Sequence, residues 1–124
     1  MTPKSNLNDE SVNISFFKKK VEDFVKIRKW KKYHNPNNLA QAISIEAAEL
    51  LEIFLFKDIN TNDIFENDNL RVKISEEISD VFIYLISLIN ALDLDLTKIF
   101  IDKMEKNNQK YPKKEFNNGY YKKK

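Results

Sequence analysis

Hydrophobic residues recur every three or four positions over four stretches of this 124-residue chain, with polar segments rich in Asn and Asp between them. That period lines one face of a helix. Phe17, Val21, Phe24, Val25 and Ile27 predict a first helix over about Ile14–Lys31. Tyr33-His34-Asn35-Pro36 breaks it, because a residue before proline disfavours helical backbone. Asn35 can then cap a second helix that has Pro36 at its first position. This helix runs over roughly Pro36–Phe56, striped by Leu39, Ala42, Ile43, Ala47, Leu50 and Phe54. Lys57–Asn69 is polar and predicts a loop. A third helix, about Leu70–Ala91, is amphipathic through Ile74 and Ile78, then apolar nearly all round from Val81 to Ile89. The second half predicts burial on more than one side, hence subunit association as well as an internal core. Asp95 can cap a fourth helix of about Leu96–Lys110, with Ile99, Phe100 and Met104 inward and Pro112 beyond its end. Four helices with mostly short connections predict an all-α, antiparallel four-helix bundle over residues 14–112. Met1–Asn13 reads as a loose leader and Lys113–Lys124 as a mobile basic tail.

Composition narrows the chemistry. The length suits one domain. With no Cys, disulfides, thiolate nucleophiles and Cys-ligated zinc are excluded, and a single His excludes most His-built metal sites. One Gly cannot make a Gly-rich phosphate loop or a dinucleotide fingerprint, so a phosphate ligand would be held by metal and side chains. No apolar run reaches the ~18 residues of a membrane span, and the N-terminus is polar, so a cytoplasmic protein is expected. The formal net charge is only +2, but Lys18–Lys32 carries eight basic residues against Glu22 and Asp23, and the last residues are basic again. Basic flanks beside an acidic centre suit a polyanion held through a metal, or are a solvated surface.

The acidic centre consists of Glu46-x-x-Glu49 and Glu77-x-x-Asp80. Residues three apart on a helix project from one face. Glu46 has no Lys or Arg three or four residues on, and Asp80 stands at the mouth of the apolar run. Such pairs are common on wet helix faces. Four carboxylates converging from two helices would instead make an oxygen-donor site for a hard divalent cation such as Mg²⁺. A di-iron site would need Glu-x-x-His motifs, and the one His, His34, lies outside these helices.

Together with these pairs, the strings Trp30-Lys-Lys-Tyr-His34-Asn-Pro36-Asn-Asn38-Leu39, Glu77-x-x-Asp80-Val-Phe-Ile-Tyr84, Lys103-Met-Glu-x-Asn107 and Tyr111-Pro112 carry a resemblance. In this order and spacing they resemble the MazG-like nucleotide pyrophosphohydrolases, and most closely the short single-domain branch that includes dCTP pyrophosphatase. The resemblance covers about residues 16–115. It implies an all-α bundle assembled as dimers or tetramers. It also implies Mg²⁺-dependent (Mn²⁺ possible) hydrolysis of a (d)NTP to the monophosphate and pyrophosphate. Metal ligands then map onto Glu46, Glu49, Glu77 and Asp80. Glu49 is the first candidate for the general base and Glu52 the second, although Glu52 also reads as a solvated residue. Lys103 and Asn107 are implied triphosphate contacts, and Tyr111 is a further implied substrate-binding residue. Trp30 and Tyr84 are implied base or sugar contacts, against an alternative of core packing. Phe56 stands where relatives carry a second stacking Trp; it can stack but lacks the indole donor. His34 and Asn38 read the base or cap the second helix. Lys110 stands where the family often has Arg, which removes a bidentate fork.

Two rivals remain at this level. One is a non-catalytic helical interaction module whose acidic face meets a partner. The other is nucleic-acid binding through the basic first helix and tail, with no recognised reader motif to support it.

Overall fold

The computed structural model describes residues 6–121, and these are helical with no strand among them. The helices are α1 (Ile14–Ile27), α2 (Pro36–Glu52), α3 (Thr61–Glu66), α4 (Asp68–Ala91) and α5 (Leu96–Lys110), with a 3₁₀ turn at Lys31–Tyr33. Two compact units make up the chain, Met1–Asp93 and Leu94–Lys124. No helix of the described residues is long and apolar enough to cross a membrane.

Polar side chains set the helix starts. Asn13, Asn35, Asn60, Asn67 and Asp95 each accept a hydrogen bond from a first-turn backbone N–H, which supplies a partner for an otherwise orphaned donor. The Asn35 cap with Pro36 behind it, and the Asp95 cap, stand where the sequence pattern puts them. The ends of the first two helices differ from expectation, whereas α4 stops at Ala91 as expected. α1 stops at Ile27, four residues early, and α2 stops at Glu52, four residues before Phe56. After α1, Lys29 takes a left-handed φ of 57°. Its N–H then donates to Lys26 O and the Trp30 N–H to Val25 O, both at 3.0 Å, which is the Schellman pattern of a helix stop. The expected loop Lys57–Asn69 contains α3, started by a capping box between Asn60 and Asp63. Asn67 closes α3 and caps α4, so α4 begins two residues before Leu70.

In the first unit α4 packs against α2 and α1, with α3 against its beginning. Leu39, Ile53, Ile86 and Ile89 are the buried hydrophobic residues, and Ile86 is fully enclosed. Phe17 meets Phe82 edge to face at 5.3 Å, and the Asn90 amide donates to Lys18 O at 3.0 Å, so α1 is fixed to α4 by both a ring contact and a hydrogen bond. The apolar second half of α4 buries Ile86 and Ile89, while Ile83 and Leu85 stay exposed. Ahead of α1, Asn8 and Ser11 close a turn by reciprocal hydrogen bonds; the first five residues of the expected leader lie outside the described residues. In the second unit, α5 has the bounds expected of it, and Tyr111 packs edge-on against Phe116 at 5.3 Å. The last three residues of the expected tail lie outside the described residues.

Candidate active site

Because α2 starts at Pro36, Glu46 falls in its third turn, on the side that turns toward α4 with Leu39. Because α4 starts at Asp68, Glu77 and Asp80 sit near its middle, one turn apart. One carboxylate oxygen from each of Glu46, Glu77 and Asp80 lies within 4.8 Å of the others. Glu46 Oε2 and Glu77 Oε2 are shut off from solvent and have no hydrogen-bond partner. Orphaned buried carboxylate oxygens are costly unless a cation or proton meets them.

The acid–base behaviour follows from this crowding. Burial, then the Glu49 carboxyl beside it and the charges of Asp80 and Glu77, push Glu46 up from 4.5 to about 7. Glu77 is raised for the same reasons: burial first, then Glu49 and Asp80. Glu49, exposed near the end of α2, is therefore close enough to act on both, although it is not one of the three tightly grouped ligand atoms. Glu52 is exposed in the last turn of α2.

A cleft of about 630 Å³ opens beside the carboxylates and includes Glu46 and Asp80 in its lining. Trp30, His34 and Tyr84 line it as well, so three of the expected base or sugar contacts share a cavity with the acidic group. Burial lowers the His34 pKa, which favours the neutral ring with one donor and one acceptor nitrogen. Sequence pattern assigned Phe17, Val21, Phe24 and Val25 to a core stripe; they are also cleft wall, joined by Phe82 of α4. Lys20 is a further lining residue that the pattern did not single out.

Of the remaining expected contacts, Asn38 and Phe56 are in the same unit and are not among the lining residues. The Asn38 side chain donates to Tyr33 O at 3.0 Å, and its N–H is capped by Asn35 at 2.8 Å, so it braces the turn before α2. Phe56 is 99% exposed, takes a left-handed φ of 57°, and is not part of the cleft wall. Lys103, Asn107 and Tyr111 belong to the second unit: Lys103 is exposed on α5, and Asn107 is half-buried and accepts the Tyr111 N–H with its carbonyl at 2.8 Å.

The model of the MazG-like family matches residues 41–122, which contain all four carboxylates. The chain belongs to the MazG-like family. It is 37% identical to rat dCTP pyrophosphatase 1 over 91 residues, 73% of this chain and 54% of that protein. The human dCTP pyrophosphatase 1 is 35% identical over the same length. This MazG-like chain thus spans about half the length of those mammalian relatives. The crystal structure of a pyrophosphatase from Archaeoglobus fulgidus is similar in fold, with a TM-score of 0.72 and 37% identity over 86% of this chain and 98% of that one.

Proposed function

We propose that this MazG-like protein is a divalent-metal-dependent nucleoside triphosphate pyrophosphohydrolase. It converts a (d)NTP to the monophosphate and pyrophosphate, favours a dCTP-like substrate, and serves to sanitise the nucleotide pool of the cytoplasm. The observation that carries this reading is the meeting of Glu46, Glu77 and Asp80 within 4.8 Å, with two of their oxygens buried and unpaired, at the edge of an aromatic cleft. The pyrophosphatase names of the relatives and of the structural neighbour support it.

The donor set is all carboxylate oxygen, which suits Mg²⁺ or Mn²⁺. Glu46, Glu77 and Asp80 would hold the ion, with Glu49 as a further ligand. When bound, such an ion neutralises phosphate charge and polarises the phosphorus that is attacked. Water adds at one phosphorus of the α,β-anhydride and the bond to the bridging oxygen breaks, releasing pyrophosphate. Glu49, exposed and next to the trio, takes the water's proton, and Glu52 is the second candidate for that role. Trp30 and Tyr84 give the base and sugar flat, partly polar surfaces, and neutral His34 can both donate to and accept from a base edge. The exposed apolar positions of α4 outside the cleft, Ile78 and Leu85, support assembly into a homo-oligomer.

The test is a panel of dNTPs and NTPs incubated with the folded protein and Mg²⁺, read by pyrophosphate release. Turnover of at least one nucleotide is expected, with dCTP among the better substrates. No release from any of them overturns the proposal. Glu49→Gln should keep the fold and lose roughly 100-fold or more in kcat; near wild-type turnover would remove Glu49 from its role.

A further inference from the structure

The aromatic wall of the cleft is assembled at the end of α1, where the helix stops and the chain doubles back. Phe24 and Trp30 both line the cleft and meet edge to face, with ring centroids 5.9 Å apart. Neither is buried: Phe24 is 49% exposed and Trp30 45%. Packing leaves about half of each of these residues uncovered, so an added contact bears on the orientation of their rings. Arg28 stands on them. Its guanidinium carbon lies 3.6 Å from the centre of the Phe24 ring and 5.9 Å from that of Trp30. Its Nη1 donates to Phe24 O at 3.1 Å. A planar cation at that height on an aromatic face is attracted by the ring quadrupole, and the hydrogen bond ties the same side chain to the same residue's backbone.

We infer that Arg28 is a positioning residue for nucleotide binding, which fixes the Phe24–Trp30 pair as a preformed wall for the base. This rests on the activity proposed above. Arg28 is not among the residues lining the cleft, so it acts through the rings. Its effect belongs to binding. An aromatic platform already in its bound orientation loses less side-chain entropy when a base stacks on it, and the carboxylates on α2 and α4 are untouched. A plain helix cap would be indifferent to whether the cation is planar. A stacked guanidinium is not, because the compact lysine ammonium cannot cover the ring in the same way.

The experiment uses Arg28→Met and Arg28→Lys, with Trp30, the one Trp of the chain, as reporter. Trp emission of the ligand-free protein is read first, since it does not depend on activity. Arg28→Met is expected to shift it to the red, with Arg28→Lys between Met and wild type. Quenching by dCTP with Mg²⁺ then gives Kd, and steady-state turnover gives KM and kcat. Arg28→Met should raise Kd and KM about tenfold with kcat within twofold, and Arg28→Lys should recover only part of the loss. Unchanged Trp emission overturns the inference. So does a fall in kcat at constant KM, or equal rescue by Lys. If the wild-type chain turns over no nucleotide, the activity fails. The emission and quenching data still decide whether Arg28 orders the wall and whether that wall binds a base.

Discussion

At the scale of single residues, the protonation of Glu46 ties the site to stability. Its pKa is about 7 in the folded chain against 4.5 ordinarily. Between those values the folded state holds more proton than the unfolded state, so the metal-free protein loses stability as pH rises through that window. Glu77 shifts in the same direction and adds to the slope. Thermal unfolding in chelator should therefore give a lower Tm at pH 7.5 than at pH 5, and added Mg²⁺ should restore it at pH 7.5. Glu46→Gln should flatten the pH dependence and abolish the rescue. A Tm that rises over the interval and ignores Mg²⁺ would argue against a cation centre. The carboxylates themselves were legible, because a three-residue spacing on a helix is visible in one dimension. Their meeting point was not, since it depends on how α2 and α4 are rotated against each other. The cleft was still less legible: Phe17 and Phe24 have the same spacing whether they face a core or line a cavity.

Helix ends mark what sequence pattern can and cannot carry at the scale of elements. Starts were readable at Asn35-Pro36 and Asp95 because side-chain caps have a chemical signature. The stops of α1 and α2 were not, because the usual signal is glycine and the one glycine of this chain is Gly119, whereas α4 and α5 end at Ala91 and Lys110 as expected. Lys29 does the work of a C′ glycine at a left-handed φ of 57°. A side chain there costs about 1–2 kcal/mol, so Lys29→Gly should stabilise the fold by about 1 kcal/mol, or roughly 4 °C in Tm. A fall in Tm would show that Lys29 makes a compensating contact. α3 was missed although Asn60 and Asp63 carry its capping box, because its six residues are too short to show a period. Asn67 has the opposite importance, since its side chain accepts the Leu70 N–H at 3.0 Å and starts the helix that bears Glu77 and Asp80. Asn67→Ala should cost about 1 kcal/mol, seen as a lower urea midpoint at unchanged slope. Saturated turnover should not change, because the trio sits well past the first turn.

For the whole molecule, the hydrophobic ledger is lopsided. Four hydrophobic side chains are buried among the described residues, whereas Leu51, Leu55, Ile78 and Leu85 on or next to the two site-bearing helices are exposed. The sequence pattern of α4 asks for burial on more than one side, and within the chain the helix gets it on part of its surface. Leu85 discriminates between the two ways of reading this. If the chain works alone, Leu85 faces water, and Leu85→Glu should change stability by no more than about 0.5 kcal/mol. If a second copy covers that face, the same substitution places an unpaired carboxylate in an apolar interface, which is strongly unfavourable. Light scattering should then show the wild type at a multiple of 14.7 kDa. Its Tm should rise with protein concentration, because association stabilises by mass action. Leu85→Glu should give a monomer with a lower, concentration-independent Tm. A wild type already at 14.7 kDa, or a substituted protein with the same mass and Tm, would mean that the second half of α4 is simply a greasy surface.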